Sequence, residues 1–195
     1  MDDDDHPDFR VEIANEKHVC FAAQISRTME ESARQRGTGI AKRSPETIIK
    51  YMLAGNAVVA VGTDGRWAGF CYLSVWDNGK FVSNSGLIVD PDFREKGVAG
   101  KLKAKLFELS RRQYPNATII GITTSEAVMK INSALGFQAT SFAQLPVDKE
   151  FWNGCKSCVN YDILERTGRK YCLCTAMRFP SDPGLQSLAH AIPVL

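Results

Sequence analysis

The chain has 195 residues, of which 44% are hydrophobic and 24% charged, and its formal net charge is +2. This length suits one domain with a sizeable core, and the composition is that of an ordinary globular protein. No segment approaches the ~20 consecutive apolar residues of a membrane span, and the acidic N-terminus is unlike the basic start of a signal peptide. We therefore expect a cytoplasmic protein with no membrane partner and, at this charge, no nucleic-acid partner.

The first half of the chain shows a regular alternation of predicted elements. Apolar residues at every second position predict a strand from Phe9, and Asn15 can cap a helix that begins at Glu16. A second helix is predicted after the cap Ser44-Pro45-Glu46. Turn residues then separate three antiparallel strands. These strands are predicted at residues 57–61, 67–76 and 81–89.

The stretch around which the chain is organised runs from Leu87 to Arg112 and is predicted to form a strand, a turn and a helix. Between strand and helix lies Arg94-x-x-Gly97-x-Ala99. Glycine lets a ligand approach the backbone, and the first helical turn has N–H groups without partners inside the helix. The helix dipole also favours an anion there. A pyrophosphate fits such a site, although the same pattern also occurs at an ordinary helix N-terminus.

This stretch resembles the acetyl-CoA signature of the GCN5-related N-acetyltransferase (GNAT) superfamily, Gln/Arg-x-x-Gly-x-Gly/Ala after a strand. A second family feature, a helix that ends in Leu-Gly-Phe, is present at Leu135-Gly136-Phe137. The resemblance spans about residues 9–145 and implies that acetyl-CoA is the co-substrate. It implies cofactor-binding roles for Leu87, Ile88, Val89, Arg94, Glu95, Lys96, Gly97, Val98, Ala99, Gly100, Lys101 and Asn132.

The resemblance also implies the fold class, an α/β (α+β) mixed sheet flanked by helices. The sheet would be mostly antiparallel, with one parallel pair that splays apart to receive the thioester. A further strand is predicted at residues 117–123, a helix at 126–135 and a strand near 138–144. We expect an acidic flexible tail at residues 1–8, a single domain at 9–179 and a C-terminal tail at 180–195. Within that domain, residues 151–179 are expected to form a cysteine-containing hairpin.

Acetyl transfer requires an amine that loses a proton, a polarised thioester carbonyl and a protonated leaving thiolate. By the resemblance, a backbone N–H near Ile88 polarises the carbonyl. Many family members place a tyrosine four residues before the glycine of Leu-Gly-Phe, but here Asn132 occupies that position. An amide can bind sulfur but cannot supply a proton. The candidate catalytic residues are therefore Asn132, Ser125 and Tyr161, with Tyr171 and water as further candidates for the acid.

The basic connection between the first two helices corresponds to a loop that borders the acceptor groove in the resembled family. Arg36, Lys42 and Arg43 in this connection are candidates to bind a carboxylate or phosphate of the acceptor. The alternative is that they are solvated surface charges. The predicted acceptor is a small-molecule primary amine, with an anionic amino acid as one form, and a homodimer is compatible with this prediction.

Four of the six cysteines lie in one late segment as Cys155-x-x-Cys158 and Cys172-x-Cys174. Close cysteine pairs in a cytoplasmic chain favour a metal site over disulfides. We predict that Cys172 and Cys174 lie on one face of a strand opposite the other pair, forming a structural zinc site. Four reduced thiols, or a redox-sensitive pair, are the alternatives.

The predicted function is N-acetyl transfer from acetyl-CoA to a primary amine through a direct ternary complex. Two alternatives remain: a module of the same fold that binds CoA without turnover, and a zinc-bearing interaction domain.

Overall fold

A computed structural model of the protein describes residues 5–6, 8–35, 37 and 42–181. Its strands form one mixed sheet in the order β1-β2-β3-β4-β5-β6-β8-β7. Their bounds are β1 Asp5–His6, β2 Phe9–Ile13, β3 Ala57–Gly62, β4 Trp67–Trp76, β5 Phe81–Val89, β6 Thr118–Thr123, β7 Gln138–Thr140 and β8 Thr175–Phe179. All neighbouring strands are antiparallel except β5 and β6, which are parallel.

The described residues contain six α-helices. They are α1 Ala22–Gln35, α2 Pro45–Leu53, α3 Val98–Gln113, α4 Glu126–Ala134, α5 Lys149–Asn153 and α6 Tyr161–Arg166. The predicted caps are confirmed: Asn15 accepts a hydrogen bond from Lys17 N, and Ser44 accepts one from Thr47 N. None of the described helices is both long and apolar enough to cross a membrane.

The two faces of the sheet carry different layers. Adjacent residues of a strand point to opposite faces, so Ile119 of β6 packs with Phe137 while Ile120 packs with Trp152. Ile119 pairs with Val82, which packs under α3, whereas Ile120 pairs with Ser83. One face is therefore covered by α3 and α4. The other is covered by α1, α2 and the chain between β7 and β8, named here the 141–174 segment.

The parallel pair is short, and this shortness opens the sheet. β5 and β6 pair only at residues 81–83 and 118–120, although each strand continues further. Beyond Ser83, β5 keeps its partner β4 on one side, with an irregularity between Phe70 and Tyr72. Gly86 lies opposite this irregularity with a φ of +66°, a conformation that glycine adopts without strain. The predicted splayed pair is confirmed.

Most predicted elements occur at the expected residues, but the chain after β6 differs. The strand expected near 138–144 ends at Thr140 and gives way to a 3₁₀ turn at Phe142–Gln144. The expected cysteine hairpin is instead two short helices, α5 and α6, followed by β8. Asp5–His6, inside the expected flexible tail, pairs with β2. The expected C-terminal tail lies outside the described residues from position 182 onward.

Candidate active site

The loop between β5 and α3 is held rigidly at its start. Asp90 accepts a hydrogen bond from Asp92 N (3.0 Å), which closes a 3₁₀ turn over Pro91–Phe93. Phe93 is buried, and the charged groups of Arg66 and Lys96 lie 5.3 and 5.2 Å from its ring centroid. Arg66 also contacts Asp92 at 2.9 Å. The buried ring thus anchors a loop that carries fixed positive charge.

Gly97 is the cap of α3 and has a left-handed conformation, with φ of +81°. A side chain added there would have no atom within 4 Å, so the space above it is open. Lys101 N donates to Gly97 O, and the preceding N–H groups of the first turn have no partner inside the helix. An anion placed over Gly97 would therefore meet bare backbone donors and the positive end of α3.

A cavity of about 630 Å³ opens at this loop. It is lined by Ser32, Leu87, Ile88, Val89, Phe93, Arg94, Glu95, Lys96, Gly97, Val98, Ala99, Gly100, Lys101, Val128 and Ile131. All the predicted cofactor-binding residues are in this set except Asn132. The sequence prediction missed Ser32, Val128 and Ile131, because they lie on α1 and α4 and no local motif marks them. Phe93, which immediately precedes the motif, was also missed as a lining residue.

Asn132 lies beneath the sheet rather than on the cavity wall. It is 1% exposed, and its Nδ2 donates to Met177 Sδ at 3.6 Å. Its Oδ1 is buried and has no hydrogen-bond partner, although buried polar atoms are normally paired. The amide lies 3.4 Å from the position that a Cβ of Gly121 would occupy, next to the point where β5 and β6 diverge.

The structure does not bring the other candidate catalytic residues together. Ser125 is the cap of α4, and its Oγ accepts from Val128 N at 3.4 Å. Tyr161 lies on α6, on the opposite face of the sheet from Asn132, and lines a separate cavity with Leu164 and Arg169. Tyr171 is 70% exposed. No acid and base pair is formed by these four residues.

Two buried polar side chains also lie next to the cleft, and sequence reasoning missed the second of them, Lys103. Asn84 is the first β5 residue beyond the paired section; it accepts from Ser110 Oγ at 2.8 Å, while its Nδ2 has no partner. Lys103 of α3 is 2% exposed and lies over the Phe137 ring. Burial lowers the pKa of Lys103 to about 8, and nearby Cys71 acts weakly in the opposite direction. The residue pattern of α3 does not distinguish this lysine from its exposed ones.

On the other face, Arg43 lies over an aromatic platform. Its Nε donates to the Tyr72 hydroxyl at 2.6 Å, and its guanidinium lies 5.6 Å from the Tyr72 ring centroid. The Tyr72 ring stacks on Tyr51 at 4.1 Å. Lys42 is exposed, and its backbone N donates to Ser157 Oγ at 3.0 Å. The connection between α1 and α2 and the 141–174 segment therefore meet across this face, while Arg36 lies outside the described residues.

The four clustered cysteines share one region but form no metal site. Burial, with the neighbouring thiols Cys158 and Cys172, raises the pKa of Cys155 to about 11. Burial and the other three thiols raise the pKa of Cys174 to about 12. Yet no group of three or more Cys, His, Asp or Glu side chains in the described ranges is arranged to hold a metal ion. The zinc prediction is unsupported, and its premise is wrong, because Cys172 and Cys174 precede β8 instead of lying on a strand.

Comparison with known proteins shows a family similarity in the central part of the chain. Residues 53–132 match the sequence model of the Acetyltransferase (GNAT) family, a range that includes β5, the Gly97 loop and α3. This part of the chain is therefore similar to GNAT acetyltransferases. No curated protein matches the chain at a significant level. The similarity supports acetyl transfer with acetyl-CoA as the reaction class.

Solved structures of acetyltransferases share the fold of this chain at low sequence identity. N-acetylglutamate synthase from Neisseria gonorrhoeae, complexed with coenzyme A and N-acetyl-glutamate, has a TM-score of 0.61 at 16% identity over 87% of this chain and 34% of its own. The putative acetyltransferase yncA from Salmonella typhimurium, with its cofactor acetyl-CoA, has a TM-score of 0.61 at 18% identity, and the match covers 90% of this chain and 95% of yncA. Phosphinothricin acetyltransferase from Sinorhizobium meliloti, with acetyl-CoA, has a TM-score of 0.59 at 17% identity, and the match covers 88% of each chain.

Proposed function

We propose that this protein transfers the acetyl group of acetyl-CoA to the primary amine of a small, anionic acceptor, by direct transfer in a ternary complex. The observation that carries the proposal is the open edge of β5. Beyond Ser83 this edge has no strand partner among the described residues, and it leads directly into the cavity at Gly97. Backbone donors for a pyrophosphate and for a thioester thus lie along one continuous path.

Positioning supplies most of the proposed catalysis. A thioester along Leu87–Val89 would present its carbonyl to the backbone N–H near Ile88, which can stabilise the developing oxyanion. Holding an amine in line with that carbonyl contributes up to about 7 to 11 kcal/mol in the best cases. Asn132 cannot donate a proton to sulfur, and the Ser125 hydroxyl already caps α4. Water is therefore the proposed proton source for the leaving thiolate.

The proposed acceptor site lies on the other face, beside Arg43. Because a guanidinium binds carboxylates through charge-assisted hydrogen bonds, Arg43 is the proposed anchor for the anionic group of the acceptor. Lys42 immediately precedes Arg43 in the same connection, and its exposed ammonium adds positive charge there. Tyr72, which holds Arg43, pairs with Ser85 immediately before the Gly86 irregularity. An acceptor at Arg43 would therefore lie next to the proposed thioester position.

The test is product analysis with a panel of primary amines. The panel pairs amino acids with their carboxamides, and mass spectrometry identifies acetylated products after incubation with acetyl-CoA. We expect at least one carboxylate-bearing amine to be acetylated in preference to its carboxamide. The Gly97→Val protein, incubated in parallel, should form no product. Acetylation of acids and amides at equal rates would contradict the acceptor assignment.

The second candidate is a module that binds CoA without turnover, and the buried amide of Asn132 favours it. It predicts tight acetyl-CoA binding with no amine in the panel accelerating CoA release above the rate of hydrolysis. That result, obtained with protein that binds acetyl-CoA, would replace the enzymatic proposal.

A further inference from the structure

The Tyr72 side chain is fixed from three sides on the acceptor face. It is 5% exposed, stacks on Tyr51 and lies against the backbone of Gly86. A Cβ at Gly86 would come within 2.3 Å of the Tyr72 ring, so only glycine permits this approach. The ring therefore covers the irregular section of β5 that precedes Leu87 and Ile88. Its hydroxyl has a defined position relative to the proposed thioester site.

The hydrogen bonds of the Tyr72 hydroxyl are incomplete. Arg43 Nε donates to it at 2.6 Å, and a guanidinium has no acceptor atom, so the hydroxyl oxygen is the acceptor in this bond. The hydroxyl hydrogen must then be donated elsewhere. Across the part of the chain that the structure describes, no residue accepts it. A buried donor without an acceptor is costly, which points to an acceptor atom that a ligand supplies.

The surroundings of this hydroxyl select an anion as that ligand. Burial raises the pKa of Tyr72, and the adjacent Arg43 only partly offsets this effect, so the hydroxyl stays protonated at neutral pH. A protonated hydroxyl next to a guanidinium offers hydrogen-bond donors together with a positive charge. A planar carboxylate, which accepts several hydrogen bonds at once, matches both properties.

We propose that the Tyr72 hydroxyl donates a hydrogen bond to the carboxylate of the acceptor, so that Tyr72 and Arg43 bind that group together. This inference rests on the proposed function and extends it, because it makes a carboxylic acid on the acceptor the group that is recognised. Tyr72 is a binding residue in this scheme and takes no part in proton transfer.

The matched pair of variants is Tyr72→Phe and Tyr51→Phe. Each removes one hydroxyl from the same aromatic stack, but the Tyr51 hydroxyl accepts a hydrogen bond from Ser74 Oγ at 2.8 Å, whereas the Tyr72 hydroxyl accepts one from Arg43. Calorimetry in the presence of CoA would measure the affinity for each standard amino acid, its carboxamide and its N-acetyl derivative. The wild-type protein identifies the carboxylate ligand that binds best. Thermal unfolding and acetyl-CoA affinity confirm that both variants are folded.

Loss of a hydrogen bond to a charged group should weaken binding of the carboxylate by about tenfold or more in Tyr72→Phe. Binding of the carboxamide and of acetyl-CoA should be unchanged, and Tyr51→Phe should bind all ligands as the wild type does. The inference is overturned by equal losses for acid and amide, by no loss, or by a wild-type protein that binds no carboxylate. If carboxylates bind through Tyr72 but no amine is acetylated, the inference holds and the proposed enzymatic function fails.

Discussion

Gly97 combines two properties that a cofactor site at a helix N-terminus requires. Its φ of +81° is one that other residues adopt only with strain, and the space where a side chain would stand is empty. A substitution that strains this conformation lowers the stability of the fold. A side chain in the open space instead blocks the binding of a ligand. The two effects of a substitution can therefore be measured separately.

Replacing Gly97 with valine should abolish acetyl-CoA binding, because the side chain would occupy the space where a pyrophosphate meets the backbone. Gly79→Val is the matched control: its φ is +85°, and its Cβ position is also open. Gly79 lies just before the first residue of β5, whereas the Gly97 loop follows the last. At ~3.3 Å per residue, the length of β5 separates the two ends by roughly 30 Å. We expect similar losses of stability in both variants and loss of calorimetric acetyl-CoA binding only in Gly97→Val. Undiminished affinity in Gly97→Val would remove this loop from the cofactor site.

The 141–174 segment covers part of the sheet face on which Arg43 lies. It contains the 3₁₀ turn at Phe142–Gln144 and the helices α5 and α6. Trp152 holds the segment: it is 6% exposed, packs edge-on against Phe151 and donates from Nε1 to Pro146 O at 2.8 Å. Three half-buried cysteines of the segment, Cys155, Cys172 and Cys174, pack against the cluster that contains Trp152.

Trp152→Ala should loosen this segment and increase the alkylation of those three thiols. The substitution removes a large buried ring and should cost about 3 to 5 kcal/mol. Leu106→Ala is the control, since Leu106 belongs to α3 and is fully buried on the opposite face of the sheet. Mass spectrometry after brief iodoacetamide treatment of native protein measures each cysteine. Equal labelling in the two variants would mean that Trp152 supports the whole fold rather than the segment.

At the scale of the whole molecule, the buried ammonium of Lys103 reduces stability at neutral pH. No carboxylate in the described residues pairs with it, so its charge is buried without compensation. Its pKa is about 8 in the native state, against 10.5 for an ordinary lysine. Between these values the unfolded chain binds more protons than the native one, so stability rises with pH. The pKa of the buried Cys71 thiol is raised to about 12, which lowers stability above pH 9.

Lys103→Met should therefore stabilise the protein at pH 7, by up to about 3 kcal/mol if the whole shift reflects the buried charge. It should also lack the contribution of Lys103 to stability, which rises between about pH 8 and 10.5. The thiols titrate in part of this range in both proteins, so the difference between variant and wild type isolates the lysine. Urea unfolding at several pH values measures both effects, with the exposed Lys50→Met as the control. A destabilised Lys103→Met protein that keeps the pH-dependent rise would show that Lys103 is not the group responsible.

The sequence predicted those parts of the fold that depend on local patterns. Each of these patterns extends over at most about 20 residues, and each is confirmed. They are the alternation in β2, the caps Asn15 and Ser44, and the strand, turn and helix around Gly97. The cofactor residues predicted from the motif line the cavity for the same reason: one turn and one helix start place them together. Only Asn132, predicted from a separate motif, is absent from that lining.

The residues that depend on distant contacts could be placed only by the tertiary structure. Cys172 and Cys174 match a strand locally, but they lie before β8, which begins at Thr175 where it can pair with β6. Tyr161 and Asn132 fall on opposite faces because Ile119 and Ile120 of β6 point in opposite directions. The burial of Lys103 and the contact between Arg43 and Tyr72 join segments far apart in the chain. Local periodicity determines which element a residue joins, whereas the packing of remote elements determines what its side chain meets.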